Sequence, residues 1–230
     1  MSSHTLVVIG AGPAGIAAAI WARSLGLDCE VVDAGDAPGG QLHRVYNRVV
    51  DYPGMVVSDG EALASRFAEH LSELDANVRT GCRVTSIDVT RRVVRTDAGD
   101  LAARFLLIAT GVRRRTLGIP GEAEFVGRGV SPSASRYAGQ FAGRDVLVVG
   151  GGDAAFEEAL ILARVCRTVT LAHRGERFRA RPDFRERVAE APNITVVTRA
   201  TLEAIEGDTE VERAVVTTPA GRQVLPVSGV

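Results

Sequence analysis

"LVVIGAGPAG", Leu6 to Gly15, and "VLVVGGGDAA", Val146 to Ala155, are the stretches on which the reading of this chain turns. In the first, "TLVVI" predicts a buried strand and Gly10-Ala-Gly12-Pro13-Ala14-Gly15 a tight turn. "IAAAIWARSLG" then predicts a helix, and "CEVVD" a second strand ending at Asp33. The first glycine permits the turn, the second lets an anionic group approach the backbone, and the third lets helix and strand pack closely. Free N–H groups and the positive end of the dipole make such a helix N-terminus an anion site. The second stretch repeats the pattern: "DVLVV", Gly150-Gly-Gly152-Asp153-Ala154-Ala155, the helix "FEEALILARVC" and the strand "TVTLA". His173 follows Gly150 at the interval by which Asp33 follows Gly10. One glycine-rich turn is a weak signal, whereas two βαβ units with a common spacing are a strong one.

The residues closing the second strand of each unit distinguish the two. A carboxylate such as Asp33 accepts hydrogen bonds from a ribose 2′-OH and repels a 2′-phosphate, which suits the adenosine half of FAD or NAD. "HRGERFR" carries His173, Arg174, Arg177 and Arg179 at the corresponding place. Guanidinium forks match phosphate oxygens, so this site reads as built for NADPH. One flavin and one nicotinamide nucleotide are expected.

Composition narrows the rest. The chain has 230 residues, 46% hydrophobic and 24% charged, with a net charge of -1. That is an ordinary globular balance and gives no electrostatic basis for binding nucleic acid or an anionic membrane. No apolar run is long enough to cross a bilayer, and the start "MSSHTLVVIG" lacks the basic region of a signal peptide. All 27 basic residues counted with lysine are arginine, which rules out a Schiff-base or P-loop lysine. Cys29, Cys82 and Cys166 form no CxxC and the four histidines no metal-binding spacing, so a cytoplasmic, metal-free protein is expected.

The repeat runs on. Strand regions "ANVRTG" and "PNITVVTR" follow the two βαβ units. Each precedes a β-meander, in 83–111 and 200–230, with the turns "DAGD" and "PAGR" in equivalent places. "GVRRRTLGIPGE", 111–122, reads as a linker, its arginines Arg113 to Arg115 a solvated connection. The expected fold is α/β, with two Rossmann-like nucleotide-binding domains, each βαβ plus a meander. They would span residues 1–115, binding FAD, and 116–230, binding NAD(P)H.

Together "GAGPAG", "APGGQL", "VVDYPG", "LLIATG", "GIPGE", "GRGVS", "GGGDAAFEEA" and "HRGERFRA" make the chain resemble the low-molecular-weight thioredoxin reductases, pyridine-nucleotide flavoproteins, along its whole length. The resemblance implies that Gly40, Gln41 and Leu42 lie along the flavin, and that Val84 holds the adenine by its backbone. It also implies that Ala109, Thr110 and Gly111 pass close to FAD. A cytoplasmic homodimer with the NADPH domain inserted in the FAD domain would follow.

Three departures stand against that resemblance. The family's redox-active CxxC follows "GVS", where this chain reads "GVSPSASRYAG". Ser133 and Arg136 take the cysteine positions and Tyr137 that of the following acid; without two sulfurs no dithiol step is expected. Asp51 stands for the Asn before "PG", and a carboxylate accepts but does not donate; Gly175 replaces a phosphate-facing Arg. By the internal repeat, the second meander ends about where "FLL" begins in the first, so the FAD domain is expected to lack its C-terminal part. What remains is hydride transfer from NADPH to flavin, which needs no protein nucleophile, and no catalytic side chain is assigned. Electrons would pass to a small redox protein or a small-molecule acceptor. The other reading is a non-catalytic or partner-completed nucleotide-binding fragment.

Overall fold

The computed structural model describes residues 2–76, 78–113 and 115–230; Asn77 of "ANVRTG" and Arg114 of the linker lie outside them. The chain divides into two compact units, Met1–Arg114 and Arg115–Val230.

In unit 1 the order is β1 (Ser2–Ile9), α1 (Pro13–Ser24), β2 (Cys29–Val32), a 3₁₀ turn (Gly40–Arg44), α2 (Gly60–Glu73), β3 (Val78–Arg79), β4 (Val84–Asp88), β5 (Val93–Thr96) and β6 (Gly99–Ile108). They build one six-stranded sheet in the order β3-β2-β1-β6-β5-β4. β1 pairs in parallel with β2 and β6, and the meander β4-β5-β6 is antiparallel. Alternate residues of a strand face opposite sides. Val8 and Val31 therefore pack against Ile16 and Ala19 of α1 and Leu71 of α2, while Val7, Ile9 and Val32 meet Val94 and Leu101 of the meander. Pro13 opens α1, where its missing N–H costs nothing. Asp59 caps α2 by accepting from the Ala62 N–H at 2.8 Å.

β6 has two halves. As far as Ala102 it lies between β1 and β5; beyond it, among the described residues, the register continues with β1 alone, from His4↔Ala103 to Ile9↔Ile108. Phe105 is 57% exposed and Ile108 66%. This half offers an open strand edge and apolar side chains on both faces, the features of a site for pairing with further chain.

Unit 2 comprises α3 (Ala134–Tyr137), a 3₁₀ turn (Ala138–Phe141), β7 (Asp145–Val149), α4 (Asp153–Ala163), β8 (Thr168–His173), α5 (Pro182–Glu190), β9 (Ile194–Thr198), β10 (Thr201–Gly207), β11 (Val211–Thr218) and β12 (Gly221–Pro226). Here the repeat diverges: β7-β8-β9 is one parallel sheet and β10-β11-β12 a separate antiparallel one. β12 stops at Pro226, which has no N–H for a ladder. The chain then meets β7 through one bridge, Val146↔Gly229, in the place of Leu6↔Phe105 in unit 1. Leu147, Ala172, Leu202, Val211 and Val216 fill the layer between the two sheets. α4 packs on the other face of β7-β8 through Phe156, Ala159 and Leu162.

Arg167 clamps Asp145 at the start of β7 through Nε at 2.8 Å and through Nη2, while the Thr168 hydroxyl donates to the same carboxylate at 2.7 Å. These donors hold the Asp145 pKa down to about 2. A lowered carboxylate pKa stabilises the fold above the unfolded value of about 4 and loses that contribution as pH falls through the folded value. Asp145→Asn is therefore expected to reduce the acid sensitivity of unit 2 between about pH 4 and pH 2. An unchanged acid-unfolding curve by circular dichroism would contradict this.

Candidate nucleotide sites

The glycine turn of unit 1 is drawn together by its own backbone. Gly10 has φ 106°, and a Cβ added to Gly15 would lie 1.8 Å from the Gly10 carbonyl oxygen, so α1 can rest on the turn only without a side chain there. Two further segments close on it. The Gly39 N–H donates to the Ala11 carbonyl at 2.8 Å and the Ala109 N–H to the Ile9 carbonyl at 2.8 Å. Gln41 spans the two, its Nε2 donating to the Val112 carbonyl at 2.8 Å. Gly10, Gly12, Pro13, Ala14 and Gly15 are thus brought together with Gly40, Gln41, Leu42, Ala109, Thr110 and Gly111. Pro13, Ala14, Gly40, Gln41, Thr110 and Gly111 are exposed there.

Asp33 lies one residue past β2, and its carboxylate closes the glycine turn. One carboxylate oxygen accepts from the Ala11 N–H and the other from the Gly35 N–H, each at 2.6 Å. Each oxygen keeps a further lone pair for a hydroxyl donor. The reading of Asp33 as a nucleotide contact gave no hint of this turn-closing role, because residue spacing does not reveal backbone donors. Val84 begins β4, the edge strand of the sheet, and pairs with Thr96 on one side. Asp51 stands apart: it is exposed on a bend closed by the Val49–Val57 bridge, with no hydrogen bond to the glycine turn or to 109–111 among the described residues.

In unit 2, Gly150, Gly152, Asp153, Ala154 and Ala155 form the turn and the start of α4. The arginine-bearing loop is stitched onto it: the Arg179 N–H donates to the Gly151 carbonyl at 2.7 Å and the Arg181 N–H to Asp153 Oδ1 at 2.7 Å. His173 is mainly a support. A Cβ on Gly151 would come within 2.4 Å of its ring, its Nε2 donates to the Arg177 carbonyl at 3.2 Å, and Phe178 packs against it with centroids 5.2 Å apart. Sequence spacing grouped His173 with the arginines and did not reveal this packing. Arg174, Arg177 and Arg179 are exposed, with no ion-pair partner among the described residues. They offer guanidinium groups next to a helix N-terminus.

The "SPSAS" segment is held differently. Ser133 is buried, its hydroxyl 3.0 Å from that of Ser135, and the Ala134 N–H donates to Glu158 of α4. Glu158 drew no attention in the sequence, since only the fold brings it to this segment. Arg136 lies over the Tyr137 ring at 5.4 Å. The cysteines are buried and unpaired. Cys29 and Cys82 belong to opposite faces of the unit 1 sheet, and Cys166 to unit 2. Burial, aided by Asp28 and Glu30, pushes the Cys29 thiol up to about 11; burial and Asp145 do the same for Cys166. Among the described residues no group of His, Cys, Asp and Glu could hold a metal, and no helix is long and apolar enough to cross a membrane.

Two α/β units, each with a glycine turn at a helix N-terminus, define a dinucleotide-binding protein of the Rossmann type. Residues 4–230 match the pyridine nucleotide-disulphide oxidoreductase family, and the chain belongs to it. It is 34% identical to a thioredoxin reductase of Peptoclostridium acidaminophilum, over 92% of this chain and 67% of that one. It is 37% identical to the bifunctional thioredoxin reductase/thioredoxin of Mycobacterium leprae, over 99% of this chain and 50% of that one. The crystal structure of Lactococcus lactis thioredoxin reductase superposes with a TM-score of 0.88 at 30% identity, covering 98% of this chain and 75% of that one. The chain thus spans about half to three quarters of these relatives. It is thioredoxin-reductase-like in fold and family, an oxidoreductase flavoprotein by that kinship.

Proposed function

We propose that the chain is an FAD-dependent NAD(P)H oxidoreductase in which electrons leave without a protein dithiol. The observation that carries this reading is the pair of glycine turns, one closed by a carboxylate and the other bordered by unpaired arginines. In unit 1, the N-terminus of α1 would hold the FAD pyrophosphate, Asp33 would accept from the adenosine ribose, and Val84 would meet the adenine. The 40–42 and 109–111 segments would flank the flavin side. In unit 2, α4 would receive the nicotinamide nucleotide's pyrophosphate, while Arg174 and Arg179 would pair with a 2′-phosphate. Bound flavin would supply the hydride chemistry; the protein's part is orientation and exclusion of water. Ser133, hydrogen-bonded and buried, has no thiolate chemistry to offer, and the separated, buried cysteines do not replace it. A small redox protein or a small molecule would take the electrons.

The test is the visible spectrum of the purified chain before and after anaerobic NADPH. A flavin spectrum that bleaches is the expected result. Bound flavin that does not bleach overturns the oxidoreductase reading. A colourless protein favours the second reading, a fragment completed by a partner, for which the open half of β6 gives a specific reason.

A further inference from the structure

Among the described residues, Glu30 is the one charged side chain that is buried, with 1% of its surface exposed. It lies in β2 and in register stands opposite Val7 of β1. Partners across a parallel ladder share a face, so its carboxylate enters the apolar layer that Val7, Ile9, Val32 and Val94 build with the meander. An ion-pair partner comes from β3. Arg79 stands opposite Val32 on that same face and reaches back along β2, its Nη2 2.8 Å from Glu30 Oε1.

Stability alone gives little reason for this pair. Taking a carboxylate out of water offsets most of what an ion pair returns, and an apolar side chain could fill the same place. Register gives a better reason. β3 has two residues, Val78 and Arg79, which meet Val31 and Val32. So short a ladder hardly specifies its own alignment, and a slip of one residue would turn both side chains to the opposite face. The pair opposes that slip, because Arg79 can meet Glu30 only on the meander face. The alignment matters just beyond the strand. The Asp33 N–H donates to the Arg79 carbonyl at 2.9 Å, the Gly81 N–H to the Gly35 carbonyl at 2.8 Å, and the Cys82 N–H to the Asp33 carbonyl at 2.8 Å. These bonds lace 79–82 to 33–35, the segment whose carboxylate takes the Ala11 and Gly35 N–H groups.

We propose that Glu30 and Arg79 are positioning residues for the adenosine end of the cofactor. By fixing the register of β3, they hold the Asp33 carboxylate where a ribose hydroxyl can donate to it. The inference rests on the reading of unit 1 as the FAD site. Because the pair acts through Asp33, it governs how well the site tells a ribose from a deoxyribose, rather than how it holds the pyrophosphate.

The experiment compares the affinity of the full chain for FAD and for its 2′-deoxyadenosine analogue. The unaltered chain is expected to prefer FAD by about 10-fold, the effect of one hydrogen bond to a charged group. Glu30→Met with Arg79→Met, which leaves neither charge behind, should fold with an unchanged thermal midpoint and lower that preference to within about twofold. Arg79→Lys, which keeps an ion pair, should retain it. If the double variant does not fold, Arg79→Gln, at a half-buried position, carries the same comparison. Equal binding of the two flavins by the unaltered chain, or a folded variant that keeps the preference without the pair, would overturn the proposal. A purely structural pair predicts the latter result. If the unaltered chain binds neither flavin, the cofactor reading fails, and hydrogen exchange at the Ala11 and Gly35 amides decides the inference. Their protection should fall by at least about 10-fold in the variant, and unchanged protection would overturn it.

Discussion

In Gly15→Ala, flavin binding is expected to fall by at least about 100-fold, with unit 1 destabilised by about 3 kcal/mol. The added methyl would lie 1.8 Å from a backbone oxygen, where no rotamer change gives relief. Either α1 tilts away from β1 or the turn opens, and both displace the N–H groups that would face a pyrophosphate. Unit 2 supplies the internal control. Ala155 holds the corresponding place, and Gly150 is more extended than Gly10, with φ 157° against 106°. That turn has already made room for a methyl group, so Ala155→Gly should leave nicotinamide-nucleotide affinity within about threefold. Equilibrium dialysis with FAD and NADPH checks both variants. A Gly15→Ala protein that keeps its flavin would refute the fit of unit 1 to that cofactor.

Arg174→Ala with Arg179→Ala is expected to weaken NADPH by about 100-fold and to leave NADH within about twofold. Each charge-assisted contact to a 2′-phosphate contributes on the order of 1.5–3 kcal/mol, and part of this is lost to solvent at an exposed site. The arginines are free to make such contacts, because the loop is fixed by its backbone bonds to Gly151 and Asp153 rather than by its guanidinium groups. Stopped-flow binding of the two nucleotides provides the measurement. Equal losses for both would place these arginines outside the 2′-phosphate site and remove the basis for preferring NADPH. His173→Ala would be a poor substitute test, since the ring supports Gly151 and its loss would disturb binding of either nucleotide.

The parts of this chain that could be read in advance are those where a local pattern has one physical solution. An apolar run, a glycine turn and an alanine-rich helix can only be βαβ, and the common interval to Asp33 and His173 sets the register of both units. The meanders were legible because "DAGD" and "PAGR" mark their hairpins. What escaped notice depends on contacts between distant residues. α2 and α5 carry no glycine turn of that kind, and only the ordinary start signals Asp59, before the first, and Pro182, opening the second, announce them. The backbone bonds of Asp33, the packing of His173 on Gly151 and the Glu158 bond to Ala134 arise only once strands and helices are assembled. The division of unit 2 into two sheets coincides with Pro226, which ends the last strand of the expected meander 200–230 and has no N–H to carry the ladder on.

The two halves of β6 also bear on how the protein reaches its fold. β1 and β6 open and close unit 1, yet they are its central pair, in register from Ser2↔Leu101 to Ile9↔Ile108. Forming them means closing a loop of nearly the whole unit before any sheet contact between them offsets the lost chain entropy. In unit 2 the corresponding long-range closure is, among the described residues, the single Val146↔Gly229 bridge, and its sheets pair strands much nearer in sequence. The unit with arginines at its turn can therefore assemble from neighbouring pieces. Its companion depends on the slow meeting of its two ends, and until then both edges of the apolar strand Phe105–Ile108, one of which stays open in the folded unit, are exposed to non-native pairing.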